Sequence, residues 1–323
     1  MVTSSRHLGL DNIKGILIIF VVLGHFLELC PDNSWKNPVY LGIYSFHMPA
    51  FLFFSGFFGK YSLPRLRFLV ILYCIFQFLY SLFAAFILHT PSVLSPQKIL
   101  TTPYWLMWYL AVLIYWYLLL PWWSRHKTPT KLIFLGISIS LSLLAGYCKQ
   151  IGYSYSLSRF LVFLPFFLAG EITGSNQKPI SNIFCAVCSK QKNCLLVISI
   201  LSVTLSMFLL RNEKITAQML YGSYSYAIGY HPGIRLVAMG TASVWIIFFL
   251  ILSNTILNHH IPILSQLGAH TLPIYLFHGF IVKLIGKYRV ILTIPTALIC
   301  TVIVIVLLGN PFTYKLFRRI KLL

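Results

Sequence analysis

The chain has 323 residues, of which 58% are hydrophobic and only 9% charged, and its mean hydropathy is +0.83. A soluble domain carries roughly 25% charged residues because its surface must face water, so this composition excludes a soluble enzyme and reads as a polytopic membrane protein. Lys and Arg number 25 against 5 Asp and Glu, but the cations are scattered through loops rather than gathered in a basic stripe. That pattern points to membrane topology and anionic headgroups, and away from nucleic acid.

Apolar runs fall near residues 13–29, 39–58, 68–88, 104–121, 131–147, 157–173, 194–210, 236–257, 265–285 and 290–308. They predict an all-α bundle of about ten transmembrane helices forming one integral-membrane domain over 1–323, with no appended soluble domain. Breakers stand between or beside the runs, among them Pro31, Pro64, Pro96, Pro121, Pro129, Pro232 and Pro262. The first run lacks a basic leader and a small-residue exit, so it reads as a retained helix rather than a signal peptide. Residues 211–235 mix Tyr, Gly and charges and read as a re-entrant or interfacial segment. No internal repeat is visible, which disfavours a transporter built from inverted halves.

Loop charge sets the orientation. Lys60, Arg65 and Arg67 follow the second run; Arg125, Lys127 and Lys131 follow the fourth; Lys178, Lys190 and Lys192 follow the sixth; Lys315, Arg318, Arg319 and Lys321 close the chain. The intervening loops are poorer in cations, the short turn with Lys287 and Arg289 excepted, which predicts cytoplasmic termini in a multi-pass protein of the cell membrane. Cys185, Cys188 and Cys194 resemble half of a zinc site, but a fourth ligand is not evident nearby, and no metal is expected.

Ionisable groups inside spans cost several kcal/mol unless paired or hydrated, so each is a candidate for function. The first run and its flanks hold Asp11, Lys14, His25 and Glu28. Lys14 and His25 are eleven residues apart, nearly on one helix face and about 16 Å apart along the axis. That geometry suits an elongated ligand with an anionic end at Lys14 and a reactive end at a buried imidazole, the shape and polarity of a coenzyme A thioester. Lys14 reads equally as a snorkelling anchor, and His25 also as a packing hydrogen bonder. The second run contains Ser45-Phe46-His47-Met48-Pro49-Ala50, in which Pro49 should kink the helix and free backbone carbonyls near His47. This is either a cavity wall or a structural kink capped by the imidazole.

The stretch Asp11-Asn12-Ile13-Lys14-Gly15 through Gly24-His25, followed by Ser45–Phe57, resembles the membrane acyltransferase-3 superfamily, and most closely its fucose 4-O-acetylase-like branch. Trp105-Leu106 through Tyr109-Leu110, Leu164-Pro165-Phe166-Phe167-Leu168-Ala169-Gly170 and Ile274-Tyr275-Leu276-Phe277-His278 are similar to later segments of that family, in the same order. The resemblance implies a ten-helix domain that moves an acyl group, usually acetyl from cytoplasmic acetyl-CoA, onto a glycan hydroxyl. Many members carry a basic residue, ten intervening residues and a His in the first helix. Lys14 and His25 keep this spacing, with Lys where Arg is common, so the charge survives and the bidentate fork does not.

On this reading acetyl-CoA is the donor, and the acceptor is a surface polysaccharide or its lipid-linked precursor, with polysaccharide-assembly proteins as further partners. His25 would be the general base and His47 the oxyanion partner, with Asp11 or Glu28 orienting or balancing charge. Arg65 and Arg67 would hold nucleotide phosphates, or else serve as plain cytoplasmic charge. Trp105, Trp108 and Tyr109 would stack a sugar or the adenine, or form an interfacial belt. Glu171 and His278 complete the expected acceptor-binding set, although Glu171 also suits a pair with a loop cation. The rival reading is a glycan exporter without chemistry.

Overall fold

The computed structural model describes residues 8–32, 36–175, 193–208, 215–310, 312, 313 and 315. The described residues form helices and connecting turns, with no strand among them. The helices are α1 Leu8–Leu27, α2 Lys36–Phe57, α3 Leu63–Leu82, α4 Pro96–Thr101, α5 Trp108–Trp123, α6 Thr128–Leu144 and α7 Leu157–Ser175. They continue with α8 Asn193–Phe208, α9 Ala217–Leu220, α10 Pro232–Asn254, α11 Pro262–Ala269, α12 Thr271–Lys287 and α13 Ile294–Leu308. Among the described residues, six helical stretches are long and apolar enough to cross a membrane, or seven if α11 and α12 count as one bent span. The chain is therefore an all-helical, multi-pass membrane protein. Large apolar side chains such as Phe78, Ile133, Ile247, Val302 and Val306 are exposed on the outer helices, as a lipid-facing surface requires.

Most of the expected breakers start helices. Pro64, Pro96, Pro129, Pro232 and Pro262 stand in the first turns of α3, α4, α6, α10 and α11, where proline's missing N–H costs nothing and its fixed φ suits the helix. Pro121 instead lies inside the last turn of α5, so it does not separate two helices. The run at 265–285 is not one straight span: it breaks at His270, where α11 and α12 meet at 80°. The first helix is also shifted. It runs from Leu8 to Leu27 rather than over 13–29, which moves His25 into its last turn.

α1 is the axis of the bundle, packed against α2, α10, α11, α12 and α13, with Ile13, Leu17, Ile18, Val22, Phe26 and Leu27 fully buried. Asn12, also fully buried, fixes its start. Its amide nitrogen donates to the carbonyls of Leu257 (2.9 Å) and His259 (2.7 Å), and its oxygen accepts from the Ser265 hydroxyl at 2.7 Å. α2 lies against α7 backbone to backbone. A side chain at Gly56 would strike the Phe167 carbonyl, and one at Gly170 the Phe53 carbonyl, so glycine is what permits this approach.

Candidate active site

The last turn of α1 and the residue after it build the centre. His25 Nδ1 lies 2.9 Å from Glu28 Oε1, and the Tyr44 hydroxyl of α2 donates a short hydrogen bond to the same oxygen. A carboxylate only accepts, so the ring proton belongs on Nδ1 and His25 Nε2 keeps its lone pair. Around this imidazole stand Trp105, with ring centroids 4.8 Å apart, and His278 of α12, stacked at 5.4 Å. His278 Nδ1 is 2.9 Å from the Ile274 carbonyl, and its Nε2 is buried without a hydrogen-bond partner among the described residues.

The segment before α5 is held by a polar anchor. Buried Gln77 of α3 donates to the carbonyls of Ile99 (3.2 Å) and Thr102 (3.0 Å) and accepts from the Tyr104 N–H at 2.8 Å. Trp105 follows with φ of 38°, a left-handed conformation that costs a non-glycine residue about 1–3 kcal/mol. The Tyr275 hydroxyl bonds the Leu106 carbonyl, and a side chain at Gly279 would collide with Trp105, Leu106 and Tyr80. The tryptophan thus meets the His25 ring edge-on and carries the Lys283 ammonium 4.0 Å from its ring centroid.

These groups border a cavity of about 230 Å³ lined by His25, Glu28, Tyr44, His47, Met48, Trp105, Trp108, Tyr153, Arg159, Tyr221, Ser223, Tyr224 and Tyr275, among others. The 211–235 segment contributes to this wall through Tyr221, Ser223 and Tyr224. A second void of about 30 Å³ shares Met48 and Tyr275 with it and adds Phe51, Tyr109, Thr271 and Leu272. The void therefore touches the start of α12, where the bent pair breaks.

The expected site residues divide into two groups. His25, Glu28, His47, Trp105 and Trp108 line the main cavity and His278 stacks on His25, whereas Tyr109 lines only the smaller void. His47 differs from the expected oxyanion donor. Its Nδ1 is 2.8 Å from the Ile43 carbonyl, so in the neutral ring Nε2 accepts hydrogen bonds and offers none. That carbonyl lies one turn back; the one deprived of its partner by Pro49 is Ser45's.

Lys14 and Arg65 both reach Phe58, towards the other end of α1. Lys14 Nζ is 4.8 Å from the Phe58 ring centroid, and Arg65 donates to the Phe58 carbonyl at 3.3 Å. Arg67 is exposed nearby on α3. Asp11 pairs with Lys14 at 2.7 Å and stands about 21 Å along the helix from His25, too far to orient it. Glu171 is also remote from the cavity: it accepts from Lys131 Nζ at 2.9 Å and from the Trp123 indole at 2.6 Å. Neither acid lines the main cavity, so the structure does not bring Asp11 or Glu171 together with His25. Cys185 and Cys188 lie outside the described residues, Cys194 is an exposed free thiol, and no cluster of metal-ligating side chains occurs among the described residues.

Tyr44, Arg159, Tyr221 and Lys283 belong to the site, or touch it, without having been singled out above. The rule that selected Lys14 and His25 selects Arg159 and Lys283 as well, since both fall inside apolar runs.

A family model described as an acyltransferase domain matches residues 7–310. Two curated relatives match a shorter part. The nodulation protein NolL of Sinorhizobium fredii is 44% identical over 69 residues, and that of Mesorhizobium japonicum 39% over 70 residues. Each match covers 20% of this chain and 19% of the relative, so the chain spans about a fifth of the length of either. No solved structure matches.

Proposed function

The chain belongs to the acyltransferase-3 family, and from that premise we propose that this membrane acyltransferase moves an acetyl or other short acyl group from acyl-CoA to a hydroxyl of a cell-surface glycan or its lipid-linked precursor. The observation that carries the reading is the His25–Glu28 pair, which orients an imidazole and leaves one ring nitrogen free in a buried cavity. His25 Nε2 takes the proton of the acceptor hydroxyl as its oxygen bonds to the thioester carbon. The C–S bond then breaks, and the imidazolium returns the proton to the departing thiolate. Glu28 stabilises the charge that His25 acquires in between. His47 Nε2 accepts from a neighbouring hydroxyl of the sugar, and Trp105 and Trp108, which line the cavity, pack their edges against the sugar ring.

The donor lies along α1 and α2. Tyr44, His47, Met48, Phe51, Ser55 and Phe58 follow at helical intervals from the cavity to the Lys14–Arg65 cluster, a path of about 21 Å. Lys14, Arg65 and Arg67 hold the phosphates, and the pantetheine arm passes Phe51 and Tyr109. In this arrangement α2, α8, α13 and the bent pair complete ten crossings of the cell membrane, with both termini cytoplasmic and His25 towards the outer leaflet. Acceptor and polysaccharide-assembly partners would then meet the enzyme on the outer side.

The test is a His25→Ala strain in which surface glycan amount and acetyl groups per glycan are both measured, at matched protein level and membrane insertion. The expected result is a normal amount of glycan without acetyl groups. Unchanged acetylation per glycan would remove His25 from the mechanism. Less glycan with unchanged acetylation would favour the exporter.

A further inference from the structure

We propose that Arg159 is the anion subsite for the acceptor: the substrate carries a phosphate or carboxylate that pairs with this guanidinium while its hydroxyl lies at His25. The inference rests on the acyl-transfer reading of the same cavity and adds the charge of the substrate to it.

Arg159 is nine-tenths buried in the first turn of α7 and lines the cavity together with His25. Its guanidinium lies between the rings of Trp108 and Tyr153, 4.8 Å from each centroid. Nε donates to the Tyr221 carbonyl at 3.1 Å and Nη2 reaches the Ser223 hydroxyl at 3.4 Å, while Nη1 has no hydrogen-bond partner among the described residues. No carboxylate of the described residues pairs with it. Asp11 is held by Lys14, Glu28 by His25 and Tyr44, and Glu171 by Lys131 and Trp123; Asp32 is exposed. A buried charge without a counterion is costly, and a planar fork fixed between two rings is pre-organised for an anion.

Arg235 shows what a purely structural arginine looks like here. It is equally buried and stacked on Tyr226 and Tyr230, yet Nη1 and Nη2 are taken up by the carbonyls of Ser142 and Tyr224 and by the Tyr230 hydroxyl, and it does not line the main cavity. Arg159 differs in lining the main cavity with Nη1 left without a partner among the described residues, whereas the partnerless donor of Arg235 is Nε and the void it lines measures about 30 Å³. Distance separates donor from acceptor: Lys14 and Arg65, the cations assigned to the donor's phosphates, stand about 21 Å along α2 from this cavity. The anion at Arg159 is therefore the acceptor's own, either a phosphate as in a lipid-linked sugar or the carboxylate of an acidic sugar.

The experiment uses the full chain in nanodiscs, with the fluorescence of the cavity tryptophans as the binding signal and glucose, glucuronate and glucose 1-phosphate as probes. At least one anionic probe should bind about ten- to a hundred-fold more tightly than glucose. Arg159→Gln should abolish that advantage and Arg159→Lys retain part of it. A preference for glucose 1-phosphate assigns the phosphate source, and a preference for glucuronate the carboxylate source. With acetyl-CoA added, Arg159→Gln should raise the KM of the preferred probe and leave the KM of acetyl-CoA unchanged. Equal binding of all three probes to the unmodified protein overturns the subsite whatever the variant's stability, as does a rise in the acetyl-CoA KM that matches the acceptor's. Charge-selective binding lost in Arg159→Gln, without acetyl transfer by the unmodified protein, supports the subsite and overturns the acyl-transfer reading instead.

Discussion

The two ends of α1 carry the same device put to opposite use. Near its start Asp11 and Lys14 form an i, i+3 ion pair at 2.7 Å; at its finish His25 and Glu28 form an i, i+3 pair at 2.9 Å. The first pair joins a full anion to a full cation beside closely packed backbone, where Asn12 leaves no polar atom over. The second joins a carboxylate to a ring with a second nitrogen, and that nitrogen faces no competing anion. The spacing provides proximity in both cases. What differs is the residual capacity: a lysine held by an aspartate remains a charge to attract another, whereas an imidazole held by a glutamate becomes a base with a defined orientation.

If the two ends do different work, their variants must fail in different ways. The largest effect belongs to His25→Ala, which should lower kcat by about 10²–10⁴-fold with the acetyl-CoA KM little changed, measured on purified protein with radiolabelled donor. Glu28→Gln keeps the shape and an acceptor oxygen but removes the charge that stabilises the imidazolium. It should cost about 10²-fold in kcat, and an effect confined to KM would break the pairing argued for His25. Lys14→Ala and Arg65→Ala should instead raise the acetyl-CoA KM about ten-fold or more each and leave kcat near its starting value, as expected for charge-assisted contacts to phosphate. The smallest effect is expected of Lys14→Arg, which preserves the charge and adds a fork; its donor KM should stay within about three-fold or improve. Equal kcat losses at both ends would erase the contrast.

The sequence carried this contrast only in part. Buried ionisable groups are legible because a charge in an apolar run has few bland explanations, so His25, Glu28, His47 and Lys14 stood out, and order along the chain added His278. Tyr44 could not be found that way, since aromatic side chains are ordinary in membrane helices and its role lies in the bond to Glu28. Asp11 was legible as a lone acid but not as the partner of Lys14. Glu171 was legible as an acid suited to a loop cation, but not to which one: its partner is Lys131, forty residues earlier and on another helix, and hydropathy holds no record of that contact. The bend at His270 was hidden because both arms are apolar and together have the length of one span. The position of His25 in the last turn followed from a helix that begins at Leu8, before the apolar run does.

The Lys131–Glu171 pair also bears on how the protein is made. Lys131 is in the first turn of α6 and Glu171 in the penultimate turn of α7, and the two helices are successive and antiparallel, so the charges arrive at one side of the bilayer from separate segments. A lone lysine or acid in a nascent span costs about 2.5–3.5 kcal/mol at the centre of the membrane and less towards its edge. Either helix released alone into lipid would carry that penalty; released together, they offset it through the ion pair, to which Trp123 of α5 adds a hydrogen bond on Glu171. If the α6–α7 hairpin leaves the insertion machinery as one unit, a ribosome stalled between the two helices should leave α6 easier to extract from the membrane than the completed pair.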